Sequence, residues 1–253
     1  MTQEEIYKQH GYLILKKFFS SEQCDQMSEK MKLCADKQYS SFLNPDRIEY
    51  LIPQSFKNSK KKLTDNVDEV ERIVETSKYM RSIMLNTVFL EKINKITGKK
   101  NVPICSHYFF KQPNTIYAKQ SWVPHQDNHW TKNTNNQLHL AHIALERATV
   151  ENGCLYLYDE SHKNDLLPVV DKIDLLTNSL SPGRLIDMPE SLFGKKVNCL
   201  VDKGDVVICH GNTIHGSYPN KTNHSRQTFA IHYIPKGEKF LAGERARRKV
   251  IED

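Results

Sequence analysis

No apolar run in the 253 residues approaches the length needed to cross a bilayer. The opening Met1-Thr2-Gln3-Glu4-Glu5 lacks the basic start and apolar core of a secretory signal. Together these absences give the expectation of a soluble, cytoplasmic chain. The six cysteines, Cys24, Cys34, Cys105, Cys154, Cys199 and Cys209, include no Cys-x-x-Cys pair. That argues against a zinc knuckle or redox motif and for reduced, mostly buried thiols. Excess charge of one sign is scarce too. Lys and Arg number 36 against 30 Asp and Glu, a balance of +6 that falls short of a nucleic-acid-binding signature. The surplus is local, in the lysine-rich 57–62, in Lys195-Lys196 and in Arg245-Ala246-Arg247-Arg248-Lys249, which read as solvated loops and a tail. Internal repeats and low-complexity tracts are absent as well.

What is present fits one large domain over residues 1–253. It divides into a helical N-terminal layer (1–100), a β core (101–240) and a basic tail (241–253). Thr2 and Glu5 form a capping-box pattern for a first helix that Gly11 can end, and Tyr12-Leu13-Ile14-Leu15 reads as a short strand. Ser20-Ser21 caps a second helix running to about Lys37, with Cys24, Met27, Met31 and Cys34 as its buried stripe. Residues 38–66 read as a long polar loop, either a cover for an active-site mouth or an ordinary insertion. From Asn66 the pattern Val67, Val70, Ile73, Val74 predicts a helix, and a further helix runs from about Thr87 to Gly98. After Val102-Pro103 come short β-branched and aromatic runs separated by Asn, Gly, Asp and Pro. Without helix-strand alternation, the natural architecture is mainly β, an antiparallel double-sheet roll with outer α-helices.

The chemistry concentrates in Val123-Pro124-His125-Gln126-Asp127-Asn128-His129-Trp130. On an extended segment His125 and Asp127 point the same way and Gln126 the opposite way. Two such residues make part of a metal site, and a third ligand can come from the distal segment that carries His210 and His215. Two imidazoles and a carboxylate are the donor set of non-haem Fe(II) oxygenases. Taken alone, His-x-Asp is equally a hydrogen-bonded pair. Arg226 stands eleven positions after His215, and a hairpin of that size can return both to one cavity. There the guanidinium could hold a carboxylate-bearing cosubstrate.

Beyond these residues the chain resembles the phytanoyl-CoA dioxygenase family of Fe(II)/2-oxoglutarate oxygenases. The likeness lies in residues 7–27, in Tyr108-Phe109-Phe110-Lys111-Gln112-Pro113, in Pro124-His125-Gln126-Asp127 and in Ala148-Thr149-Val150-Glu151-Asn152-Gly153-Cys154-Leu155. It continues in Ser161-His162-Lys163, Lys203-Gly204-Asp205, His215-Gly216-Ser217 and Ser225-Arg226-Gln227. The resemblance implies a double-stranded β-helix (jelly-roll, cupin-like) core. It implies Fe(II) held by His125, Asp127 and His215, with 2-oxoglutarate and O2 as cosubstrates. Arg226 would grip the distal carboxylate, with Ser225 and Thr228 beside it. Hydroxylation of a small molecule with release of succinate and CO2 is the implied reaction. Desaturation, ring formation or plain ligand binding on the same scaffold stay open. Halogenation is disfavoured, because Asp127 occupies the position that related halogenases leave small. His210 does not match the family's ligand position.

Other residues carry alternatives. His142, where related sequences often have Trp, and His107 either contact 2-oxoglutarate or are satisfied core histidines. His129 and Trp130 are candidates for the substrate pocket, with core packing as the alternative for Trp130. Lys111 either pairs with an anion near the site or sits on the surface. Gly153 and Gly204 read as turn residues. Asp159-Glu160 replace the family's usual Pro-Gly before Ser161-His162, so that loop is expected to differ in shape.

Overall fold

The first helix, α1 (Gln3–His10), begins at the expected capping box: Glu5 N–H donates to Thr2 Oγ1 and Thr2 N–H to Glu5 Oε2. Gly11 ends it at φ +78°, where a Cβ would come within 2.3 Å of His162. The computed structural model describes residues 1–41, 69–71, 78–113, 118–119, 121–170, 173–174, 179–180, 185–241 and 250–251. Strand β1 (Tyr12–Leu15) follows, then α2 (Ser21–Ser41), capped by Ser20 and four residues longer than its sequence pattern indicates. Cys24, Met27 and Met31 are fully buried along its inner face. Each such side chain contributes about 2 kcal/mol by leaving water. The basic stretch 57–62 lies outside the described residues, and with it most of the expected loop.

The helix expected from Asn66 is corrected. Glu69–Glu71 is a strand, β2, paired antiparallel to Tyr108 and its neighbours on the sheet edge. Valine-rich sequence suits an edge strand once a partner is available, so tertiary pairing overrides the helical spacing. The N-terminal hundred residues are therefore not purely a helical layer, since β1 and β2 both enter the main sheet. Helix α3 (Lys78–Met84) precedes α4 (Thr87–Thr97), which Asn86 caps at one end and Gly98 closes at the other.

The remaining strands are β3 (Asn101–Phe109), β4 (Trp122–His125), β5 (His139–Ala144) and β6 (Leu155–Tyr158). After two-residue strands β7 (Val169–Val170), β8 (Ile173–Asp174), β9 (Ser179–Leu180) and β10 (Leu185–Ile186) come β11 (Lys196–Asn198), β12 (Val206–His210), β13 (His215–Ser217) and β14 (Thr228–Pro235). A six-stranded sheet runs β1-β12-β5-β14-β3-β2 and a four-stranded sheet β11-β6-β13-β4, every pairing antiparallel. This is the mainly β, cupin-like roll with outer helices.

Strand alternation splits the large sheet's side chains between two cores. Ala141, Ile143, Val206, Ile208, Phe229, Ile231 and Tyr233 pack outward with Met27, Met31 and Phe89 of the helices. Leu140, Ala144, Val207 and Cys209 face inward, with Leu157, Cys154 and Cys199 of the smaller sheet's side. The inward face is the one that carries the chemistry.

A row of histidines under α1 gives the fold an acid-sensitive seam. Tyr7 Oη lies 2.8 Å from His139 Nδ1, and the His139 ring is 5.4 Å from that of His210, itself 5.8 Å from His162. Asn212 N–H donates to His210 Nδ1, so that nitrogen carries no proton. Burial, and then the neighbouring His162, push His210 down to about 4; burial likewise holds His139 well below the ordinary range. The unfolded chain takes up these protons near pH 6.5 while the folded chain refuses them. Stability is thus fully present above about pH 6.5 and lost as pH falls toward 4, by about 3 kcal/mol for His210 alone. Urea midpoints between pH 7.5 and 4.5 are expected to fall, and His210→Asn to flatten the slope.

Candidate metal centre

Ladder register brings the first two candidate ligands together. His125 ends β4, His215 begins β13, and the two are direct antiparallel partners with ring centroids 4.3 Å apart. Immediately after β4 the chain tightens into a 3-10 turn over Asp127–His129, which swings the Asp127 carboxylate back over both rings. Asp127 Oδ1 is 3.5 Å from His125 Nε2 and Oδ2 is 3.5 Å from His215 Nε2. On the opposite side Gln126 is fully buried, donating to the carbonyls of Asp165 and Asn212 and accepting from Leu167 N–H. Asn128 bonds Asn212 as well. The turn that carries Asp127 is therefore clamped from behind by side chains on the side away from the triad.

Both imidazoles are oriented in the same way. His125 Nδ1 lies 2.6 Å from Val123 O and His215 Nδ1 lies 2.9 Å from Thr213 O. A carbonyl only accepts, so each Nδ1 carries the proton and each Nε2 turns a lone pair toward Asp127, the tautomer metal ligands need. Burial, and then His125, push His215 down to about 4 against the opposing pull of Asp127. For Asp127 burial opposes the charge, but His215 and His125 outweigh it and hold the carboxyl well below the usual range. Two imidazoles bonded through Nδ1 to backbone carbonyls and one carboxylate converge. The donor set, its geometry and its protonation all fit Fe(II).

A pocket lies beside this triad, lined by His142, Ala144, Leu155, Val207, Arg226 and Thr228 among others. Arg226 is 5% exposed, with Nε donating to Gly153 O and one terminal nitrogen to Thr228 Oγ1. Gly153, at φ +92°, leaves room for Lys111, whose Cδ and Nζ would lie 3.0 and 3.1 Å from a Cβ there. Lys111 is 2% exposed, sits at a left-handed φ of +41° and donates to Ser217 Oγ and the Tyr218 carbonyl. The buried Arg226 and Lys111 side chains thus flank Gly153, and a guanidinium matches a carboxylate by two parallel hydrogen bonds. His142 faces the same pocket, its ring 6.4 Å from that of His215, and its buried Nε2 has no hydrogen-bond partner among the described residues.

The structure gathers His125, Asp127 and His215 at one point, and Arg226, Thr228 and His142 at the adjoining pocket. It does not bring Ser225 there. Ser225 and Gln227 alternate away from Arg226, and Ser225 Oγ donates to the Glu146 carboxylate. His107 is also elsewhere, stacked on His232 and Phe109 further along the inner wall. His129 Nε2 is held at 2.8 Å from Leu167 O, while Trp130 is half-buried with its ring edge-on 5.1 Å from His125. Lys111 is an interior residue rather than a surface one. His210 belongs to the seam under α1. Glu160 takes φ +62°, keeping the left-handed turn that glycine would allow, and Asp159 pairs with His10.

Sequence reasoning passed over Trp122, whose ring is 5.7 Å from His125, and His232 on β14. Counting by twos from Arg226 through Thr228 and Ala230 reaches His232 on the same face, a signal available without the structure.

A cupin-like roll carrying two histidines and one aspartate on its inner wall, with an arginine pocket beside them, defines the class of non-haem iron oxygenases. Phytanoyl-CoA dioxygenase (PhyH) is the family whose pattern matches, over residues 7–228, and the chain belongs to it. Phytanoyl-CoA dioxygenase 1 of Oryza sativa subsp. japonica is 25% identical over 260 residues, covering 92% of this chain and 89% of its own. Among solved structures, the apo non-haem monooxygenase ThoJ superposes with TM-score 0.75 at 18% identity, covering 100% of this chain and 84% of its own. SnoK, a non-haem alpha-ketoglutarate-dependent carbocyclase from nogalamycin biosynthesis, gives 0.71 at 18% identity, covering 97% and 87%. The two structures establish the shared fold. Among the described residues no helix is long and apolar enough to cross a membrane.

Proposed function

We propose that residues 1–253 act as one Fe(II)- and 2-oxoglutarate-dependent oxygenase domain that hydroxylates a small-molecule substrate. The observation that carries this reading is the unpartnered His142 Nε2 facing the same pocket as the buried Arg226, next to a triad already in its ligating tautomer.

In this reading His125, Asp127 and His215 hold the metal, and Asp127 supplies the one negative charge. Arg226 receives the distal carboxylate of 2-oxoglutarate in a site where water cannot compete, and Thr228 fixes the guanidinium's angle. His142 Nε2 meets a polar atom of the same molecule. Lys111 adds positive potential from behind Gly153. Apolar side chains of Ala144, Leu155 and Val207 exclude water from the chain of the 2-oxo acid. Iron at the triad would supply the coupled chemistry of O2 reduction, 2-oxoglutarate decarboxylation to succinate and CO2, and oxidation of a substrate C–H bond. In this reading Trp130, edge-on to His125, and His129, on the turn after the candidate ligands, line the substrate's side of the triad.

The test is anaerobic titration of the metal-free protein with Fe(II) and then 2-oxoglutarate. A visible charge-transfer band from the chelate is expected, followed on admitting O2 by succinate release that substrates accelerate, with one oxygen atom gained by the product. Folded protein that gives no band with both additions would overturn the reading.

A further inference from the structure

Cys105, His107 and His232 form a second group of metal-ligating side chains that the triad does not use. Its construction follows from register. Cys105 on β3 pairs directly with His232 on β14, and His107 pairs with Ala230 one step along. Alternation puts Cys105 and His107 on one face of β3, and the pairing puts His232 on that same face. Phe229 and Ile231, the intervening residues of β14, belong to the outer core, so the three ligands point inward.

Each is more than nine-tenths buried, at 4%, 5% and 6% exposure. One ligand atom from each lies within 4.8 Å of the others. Cys105 Sγ is 3.5 Å from His107 Nε2, which matches the sulfur-to-nitrogen edge of about 3.5 Å in a tetrahedral zinc site. The rings of His107 and His232 stack with centroids 4.8 Å apart, and His232 Nδ1 has no hydrogen-bond partner among the described residues. As mere core filling this is costly, since an unsatisfied buried nitrogen alone costs about 1–3 kcal/mol. As a ligand set the orphan nitrogen has a use.

We propose that Cys105, His107 and His232 constitute a second transition-metal site on the inner wall of the roll, of the zinc class, with at least one coordination position left open. A thiolate with two imidazoles selects borderline-soft ions such as Zn(II) over Mg(II) or Ca(II). Thr228, Ala230 and His232 alternate onto one face of β14, so the cluster shares the inner wall with Thr228 of the pocket.

The test uses Co(II) as the probe on full-length, metal-stripped protein under anaerobic conditions. Two equivalents are expected to bind, with an intense near-ultraviolet thiolate-to-Co(II) charge-transfer band that Zn(II) abolishes by displacement. The triad contains no sulfur, so the band reads the second site alone, and its outcome is independent of the 2-oxoglutarate reading. Cys105→Ser is expected to lose the band and keep one equivalent, and Asp127→Ala to keep the band. If Cys105→Ser fails to fold, His232→Gln, checked by circular dichroism, is expected to lose or markedly weaken it. No thiolate band in the wild-type protein at saturating Co(II), or a band unchanged in either cluster variant, overturns the proposal.

Discussion

Asp127→Ala is expected to weaken Fe(II) binding by at least ~100-fold, since loss of a residue that merely orients a ligand already costs 10–100-fold, and to reduce succinate release to background. Asp127 is the triad's charged donor, and its two oxygens sit 3.5 Å from His125 Nε2 and His215 Nε2. Its removal leaves two neutral imidazoles, a pair that chelates a hard-to-borderline dication weakly. The fold should survive, because Asp127 lies on a turn held from behind by Gln126 and Asn128 rather than by the carboxylate. Calorimetric titration with Fe(II) measures the affinity. Thermal melting supplies a second check: Fe(II) should raise the wild-type Tm by linkage and raise the variant's by markedly less. Wild-type affinity in Asp127→Ala would remove the carboxylate from the ligand set. Asp127→Asn separates charge from shape, and is expected to lie closer to alanine because the charge is what the metal needs.

That candidate ligand set was readable in the sequence as residue types and incompletely as geometry. His-x-Asp gives two donors on one side of an extended segment, but Asp127 reaches the rings through a 3-10 turn that alternation does not describe. Sequence spacing could not choose between His210 and His215; the ladder pairing of His215 with His125 does so, and it is a long-range fact. Local signals fared best where the chemistry is local, as in the Thr2–Glu5 capping box and the Asn86 and Gly98 caps of α4. They fared worst where a distant partner decides. Glu69–Glu71 is a strand because β3 offers it an edge. Lys111 is interior because Ser217 and the Tyr218 carbonyl, over a hundred residues away, receive its ammonium group. The cluster of Cys105, His107 and His232 joins residues 125 positions apart through one register, which neither a motif nor a composition reveals.

Arg226→Met is expected to raise the KM for 2-oxoglutarate by ~100-fold or more, because truncating one partner of a buried charge pair costs 2–5 kcal/mol or more, while Fe(II) binding stays at the wild-type level. The guanidinium is bonded to Gly153 O and Thr228 Oγ1 and so is fixed before any carboxylate arrives. Methionine keeps most of the apolar stem and removes only the charge and the donors. Iron affinity should not change, since Arg226 touches none of His125, Asp127 or His215 in the bonds that orient them. Strand alternation adds a graded prediction along the same segment. Thr228→Val removes one charge-assisted hydrogen bond from the guanidinium, worth about 1.5–3 kcal/mol, and should raise the KM roughly tenfold or more, whereas Ser225→Ala, whose hydroxyl serves Glu146 on the opposite face, should leave it unchanged. A 2-oxo acid lacking the distal carboxylate sharpens the test. It should be a poor cosubstrate for the wild-type protein and relatively better for Arg226→Met, because the variant has lost the guanidinium that favours a distal carboxylate. Equal KM values for 2-oxoglutarate in Arg226→Met and wild type would place the distal carboxylate elsewhere, with the buried ammonium of Lys111 the next residue to replace.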